Sequence, residues 1–154
     1  EGLTGLAREL FDVARAAAES VETLRLLLRP HPIRWSAPPE PLLARGDDAR
    51  FRQVLEQLLE NEAKYAPPGY GVSIGAWREG SDVRVYVTDD GPGVPVSDWE
   101  SVFEPFVRIE GRGRGSGIGL FAARRLMDAM GGRVWLEPNG YGGSRFVVSL
   151  PAAA

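Results

Sequence analysis

The chain has 154 residues, of which 44% are hydrophobic and 25% charged, with a net charge of −3 and a pI of about 5.3. That is one domain with enough apolar material for a core, and with no global basic field for nucleic acid or an anionic membrane. It has no cysteine and one histidine, which removes disulfides, thiolate catalysis, zinc-thiolate sites and histidine metal clusters. No apolar run approaches the ~18 residues of a membrane span, and the first residues lack a signal peptide's basic-then-apolar layout.

In chain order, Leu3, Leu6, Ala7, Leu10, Phe11, Ala14 and Ala17 recur at three and four, which predicts an amphipathic helix continuing to about Leu28 before Pro30 stops it. His31, between Pro30 and Pro32 in an extended segment, reads as structural. Ile33 to Ser36 and Leu42 to Ala44 read as short strands around a proline-rich turn, the second ended by Gly46. Asp47 or Asp48 then caps a helix from about Ala49 to Tyr65, closed by Pro67-Pro68-Gly69. At roughly 100° per residue, Phe51, Val54, Leu55, Leu58 and Leu59 share one arc that must face the core. Asn61 and Tyr65 border that arc, with Gln57 and Lys64 just beyond it. Lys64 is the only lysine in the chain. Glu62 falls inside the apolar arc, where a carboxylate needs a buried partner or a helix that has begun to unwind.

Val72 to Trp77 and Asp82 to Thr88 alternate as the two arms of a hairpin, with Val83, Val85 and Val87 on one side. The second arm runs into Asp89-Asp90-Gly91-Pro92-Gly93-Val94-Pro95. A strand that ends in a carboxylate followed by glycines places an acceptor at the sheet's edge, with backbone free to pass close to a ligand. Val102-Phe103-Glu104-Pro105-Phe106 reads as a small hydrophobic anchor. From Glu110 to Gly115 glycine takes every second position, which predicts a mobile stretch. Ser116 offers an N-cap, and Gly117-Ile118-Gly119-Leu120 opens a helix that stops at Gly131-Gly132; glycines at a helix start admit an anion to unpaired N–H groups. Val134 to Glu137 and Arg145 to Leu150 form a closing strand pair.

In order and spacing these segments resemble the ATP-binding catalytic domain of bacterial sensor histidine kinases, in the ATPase superfamily of gyrase, Hsp90 and MutL. Gln53 to Pro67 is similar to the family's N box, Asp89 to Gly93 to its first glycine box, Phe103 to Phe106 to its F box, and Gly115 to Leu120 to its second glycine box. Gly142-Gly143-Ser144-Arg145-Phe146 resembles the closing hairpin. The resemblance implies an α/β two-layer sandwich, a mixed sheet of about five strands with three helices on one face. It implies that Asp89 reads the exocyclic amine of adenine, Asn61 holds Mg²⁺, Lys64 neutralises phosphate and Tyr65 packs beside the purine. Gly91, Gly93 and Phe106 would shape the base pocket, and Gly115, Ser116, Gly117, Ile118, Gly119 and Leu120 would receive the polyphosphate. Arg108, with Arg112 and Arg114 in a lid that orders around nucleotide, would clamp the terminal phosphate.

Two departures stand out. Gln57 occupies a position where the family usually has asparagine and where hydrolysing members of the superfamily have a glutamate that activates water; an amide cannot take that proton, so intrinsic hydrolysis should be slow. Glu62 stands where alanine is usual. The helical hairpin that carries the phosphoacceptor histidine is absent from residues 1–154, which read as a single catalytic domain of a longer, cytoplasmic or membrane-anchored kinase. Expected partners are a histidine-bearing dimerisation domain and a downstream response regulator, with no nucleic acid and no membrane contact. The isolated domain is expected to be monomeric and its parent homodimeric. The alternatives are an anti-sigma-type serine kinase, a nucleotide sensor without transferase activity, and an interaction domain that has lost its ligand.

Overall fold

The computed structural model describes residues 5–105, 119–140 and 142–153. Among these residues seven strands and three α-helices follow in the order β1 (Glu9–Asp12), α1 (Val13–Thr23), β2 (Ile33–Ser36), β3 (Leu43–Gly46), α2 (Asp48–Tyr65), β4 (Val72–Glu79), β5 (Asp82–Asp89), α3 (Gly119–Ala129), β6 (Arg133–Pro138) and β7 (Ser144–Pro151). Single 3-10 turns occupy Val96–Asp98 and Ser101–Phe103.

Five strands form one sheet in the order β2-β4-β5-β7-β6; β2 runs parallel to β4 and the other pairs are antiparallel, so the sheet is mixed. The alternation read from the sequence sets its two faces. Val83, Val85 and Val87 of β5 stand opposite Leu150, Val148 and Phe146 of β7, and all six are buried against the helices. From above, α2 contributes Phe51, Val54, Leu55, Leu58 and Leu59, and α3 contributes Ala123, Leu126 and Met127. Burying each large side chain of this set stabilises the fold by about 1.5–3 kcal/mol. The expected two-layer α/β sandwich with three helices on one face is the observed architecture.

The first helix differs from its expectation. Residues Glu9–Asp12 are a strand, and α1 begins only at Val13 and ends at Thr23. Asp12 causes the switch: its Oδ1 accepts from Ala14 N, Arg15 N and Leu42 N at 3.1, 3.4 and 3.1 Å, capping the helix and tying it to the chain before β3. β1 pairs antiparallel with β3, which buries Phe11 against the core and leaves Leu10 exposed. Leu3 lies outside the described residues. Asp47, the cap of α2, accepts from both Ala7 N (2.9 Å) and Arg50 N (3.0 Å), so this small ribbon is also fastened to α2. The N–H of Ala7 is the main cause that holds the Asp47 carboxyl below the ordinary aspartate range; partial burial opposes it, and the N–H and charge of Arg50 reinforce it.

No described helix covers the other face of the sheet; its own side chains do. Arg145 lies 5.0 Å over the Tyr86 ring and 5.5 Å over Trp77, and Arg84 and Arg133 lie 5.1 and 4.8 Å from the Trp135 ring. Beneath them Val147, opposite Tyr86 and Trp135, is fully buried. Arg145 Nε donates to Glu137 Oε2 at 2.7 Å and Trp135 Nε1 to Glu137 Oε1 at 2.9 Å. A cavity of about 260 Å³ opens on this face, lined in part by Ser36, Gly75, Trp77, Tyr86 and Arg145.

Candidate functional site

β5 ends on Asp89, which stands opposite Val72, a fully buried residue of the helix-covered face. Because side chains alternate along a strand, Asp89 shares that face and Asp90 does not. Asp89 is 7% exposed, and its Oδ1 accepts the Gly91 N–H at 2.6 Å. An ionised carboxylate has about four acceptor sites, so capacity for a ligand donor remains. On the outer face Asp90 Oδ1 accepts from Arg34 Nη2 at 2.7 Å and Oδ2 from Gly71 N at 3.1 Å.

The loop after Asp89 is clamped to the start of β7. Val94 N donates to Ser144 Oγ at 2.8 Å, and Thr88 Oγ1 donates to the Ser144 carbonyl at 2.7 Å. Gly93 has φ +75, and a Cβ there would meet Ser144 N at 2.4 Å, so the loop presses backbone against backbone. Trp99 Nε1 donates to the Val94 carbonyl at 2.8 Å and holds the loop from its other end. Asp89 is thus presented by a loop with little freedom to shift.

Helix α2 supplies the second part. Asn61 is half-buried in its last turn but one, and its Nδ2 is a buried atom with no hydrogen-bond partner among the described residues. A buried amide left this way is costly in a folded protein and points to a ligand. Lys64 is exposed and Tyr65 half-buried at the helix end, with Lys64 Nζ 5.9 Å from the Tyr65 ring centroid. Glu62, inside the apolar arc, is 4% exposed, and the helix continues through it unbroken to Tyr65.

The third part is the start of α3. Gly119 lies against Gln57 of α2: a Cβ on Gly119 would sit 2.5 Å from Gln57 Oε1. Gln57 precedes Asn61 by about one turn, so the first described turn of α3 packs close to the part of α2 that carries Asn61. Leu120 packs against the core from the same turn. Phe106, Arg108, Arg112, Arg114, Gly115, Ser116, Gly117 and Ile118 lie outside the described residues; Phe103 of the same anchor is buried, 6.1 Å edge-to-face from Phe146. Among the described residues no three His, Asp or Glu side chains converge as a metal site, and no helix is long and apolar enough to cross a membrane.

Two contributors escaped the sequence reading. Ser144 clasps the Asp89 loop, a contact between segments 50 residues apart that no local pattern announces. Tyr70 lies opposite Gly91; extending the β4–β5 register from Val72↔Asp89 by two residues gives that pairing, so hairpin counting was the available signal.

Comparison with known proteins agrees with this fold. Residues 46–154 match the family described as histidine kinase-, DNA gyrase B-, and HSP90-like ATPase. The sensor protein kinase CarS of Pseudomonas aeruginosa is 38% identical over 142 residues, 92% of this chain and 31% of that protein. The adaptive-response sensory kinase SasA of Thermosynechococcus vestitus is 36% identical over 152 residues, 95% of this chain and 40% of that protein. This chain therefore spans 31–40% of the length of these relatives. Among solved structures, the mycobacterial sensor histidine kinase MprB superposes with a TM-score of 0.81 at 25% identity, covering 94% of this chain and 97% of that one. Full-length ShkA, solved in complex with AMPPNP, gives 0.81 at 28% identity over 97% of this chain and 32% of that one. The chain belongs to the family of histidine kinase-, DNA gyrase B-, and HSP90-like ATPases.

Proposed function

We propose that this chain binds Mg-ATP and donates its γ-phosphate to a histidine on a separate helical dimerisation domain, as the catalytic domain of a homodimeric two-component sensor kinase. The observation that carries the reading is the pairing of two prepared polar groups: the Asp89 carboxylate, fixed by Gly91 N–H, and the buried Asn61 amide with its unpartnered Nδ2. The first suits the exocyclic amine of adenine, and a charge-assisted hydrogen bond there contributes about 1.5–3 kcal/mol. Guanine has a carbonyl at that position and is rejected. Asn61 would hold Mg²⁺ through its amide oxygen, the oxygen and nitrogen of the side-chain amide exchanging places by a flip about the last bond.

When bound, Mg²⁺ supplies charge neutralisation across the phosphates. The chain's own residues bind and orient: Tyr65 packs beside the purine, Lys64 meets phosphate at the end of α2, and the Gly115-to-Leu120 stretch receives the polyphosphate, with Arg108 at the terminal phosphate. Gln57 carries no proton-accepting carboxylate, so water is a poor acceptor and the phosphate is held for transfer. The downstream response regulator is the expected destination.

The test has two stages. Calorimetric titration with Mg-ATP should give saturable binding that Asp89→Ala abolishes. Addition of a histidine-bearing dimerisation domain with γ-labelled ATP should then yield acid-labile label on histidine. Binding without label overturns the transfer step and leaves a nucleotide sensor; label on serine identifies a serine kinase.

A further inference from the structure

Tyr70 sits in no motif, yet the structure brings it to the carboxylate. A Cβ built on Gly91 would lie 2.7 Å from Asp89 Oδ1, 3.1 Å from Tyr70 Cδ2 and 3.2 Å from Tyr70 Cε2. The Asp89 carboxylate and one edge of the Tyr70 ring therefore converge on one point above Gly91. Strand register gives the same answer. Val72 and Asp89 share the helix-covered face, and Tyr70 and Gly91 are the next pair on that face, so the ring stands on the side where Asp89 points. Asp90 N donates to the Gly71 carbonyl at 3.1 Å, which continues the pairing past the end of the strands.

The backbone of Tyr70 is held from two sides. Its N–H donates to the Pro67 carbonyl at 3.1 Å, closing the turn that leaves α2. Its carbonyl lies 2.9 Å from His31 Nδ1; a carbonyl only accepts, so the imidazole proton is on Nδ1 and donates. His31 is buried, which gives the single histidine its structural role. Tyr70 is 40% exposed, an aromatic residue beside an acceptor that has capacity to spare. No side chain separates it from Asp89 at Gly91, because Gly91 has none.

We propose that Tyr70 is a base-contacting residue of the nucleotide site, forming an aromatic wall beside the purine that Asp89 reads. The proposal rests on the reading of Asp89 as the base acceptor. An aromatic face beside a purine contributes by stacking and excludes water from the Asp89 hydrogen bond; the phenolic hydroxyl is not needed for either.

The experiment compares two probes, Mg-ATP and Mg-tripolyphosphate, the second carrying the charge without the base, by calorimetry on the whole chain. Tyr70→Ala should weaken Mg-ATP binding roughly 5- to 150-fold, the range set by base-aromatic stacking, and leave tripolyphosphate within about twofold of the unmodified chain. Tyr70→Leu, which keeps bulk and serves if the alanine variant unfolds, should lose affinity in the same sense. Tyr70→Phe should remain within twofold. Mg-ATP affinity unchanged in both Tyr70→Ala and Tyr70→Leu overturns the proposal, and so does an equal loss for both probes, which marks a purely structural residue. Asp89→Ala separates the two claims: if it loses ATP while the Tyr70 variants keep it, only the wall is wrong; if it too keeps full affinity, the base site itself is misassigned.

Discussion

Arg34 and Asp90 stand 56 positions apart in the chain and 2.7 Å apart in space, and the Nε of the same guanidinium donates to Ser73 Oγ at 3.0 Å. The ion pair joins the edge strand β2 to the end of β5 across β4. Both side chains are more than half exposed, so the charge attraction alone is worth at most about 1 kcal/mol. Asp90 also accepts the Gly71 N–H. Asp90→Ala should lower unfolding stability by about 1–2 kcal/mol in urea titration, and Asp90→Asn, which keeps an acceptor, should recover about half of that.

The loop behind Asp89 should tolerate little change at its closest approach. Gly93→Ala introduces a Cβ 2.4 Å from Ser144 N at a residue with φ +75. Strain of roughly 2–3 kcal/mol should lower Tm by about 5–10 °C. Ser144→Ala removes the acceptor of Val94 N and should cost about 1–3 kcal/mol. Differential scanning calorimetry reads both.

On the ATP-binding reading, the side chain of Gln57 decides between storing and spending the phosphate on water. Gln57→Glu places a proton acceptor at the same point, one turn before Asn61 and against Gly119. Intrinsic phosphate release should rise about tenfold or more, with Mg-ATP affinity little changed. A phosphate-release assay on the isolated chain checks it, and an unchanged rate means that Gln57 does not face the attacking water.

Acid should weaken the roof of the sheet. Burial pushes the Glu137 carboxyl upward, but the hydrogen bonds from Trp135 and Arg145 and the charges of Arg145 and Arg84 outweigh it and hold the carboxyl below the ordinary range. A depressed carboxylate stabilises the folded state fully above its unfolded pKa, and the contribution is lost as pH falls through the folded value. Stability should thus decline from about pH 5 downward, and Glu137→Gln should flatten that part of the pH–stability curve in urea titrations.

The hairpins, the core arc of α2 and the glycine loop after β5 were legible because each is written in adjacent residues. Val83, Val85 and Val87 alternate, and Phe51 to Leu59 repeat at helical spacing, so local period and burial agree. The β1–β3 ribbon was not legible. Leu6, Leu10 and Phe11 fit a helical period, and only the pairing of Leu10 with Arg45, 35 positions on, makes them extended. Ser144 was missed for the same reason, since its bond to Val94 spans 50 positions, whereas the place of Tyr70 opposite Gly91 could have been counted from the β4–β5 hairpin. Glu62 is buried on the apolar arc as read, and of the two alternatives, a buried partner or an unwinding helix, the second is excluded because α2 runs three residues further.

The arginine and aromatic layer over Val147 shields this sheet where no helix among the described residues does. Hydrocarbon is kept beneath and guanidinium is turned outward, so the domain can present that side to solvent at any angle. A neighbouring protein that met this flank would find cation and ring edges where an interface core needs hydrocarbon, so the flank resists adhesion.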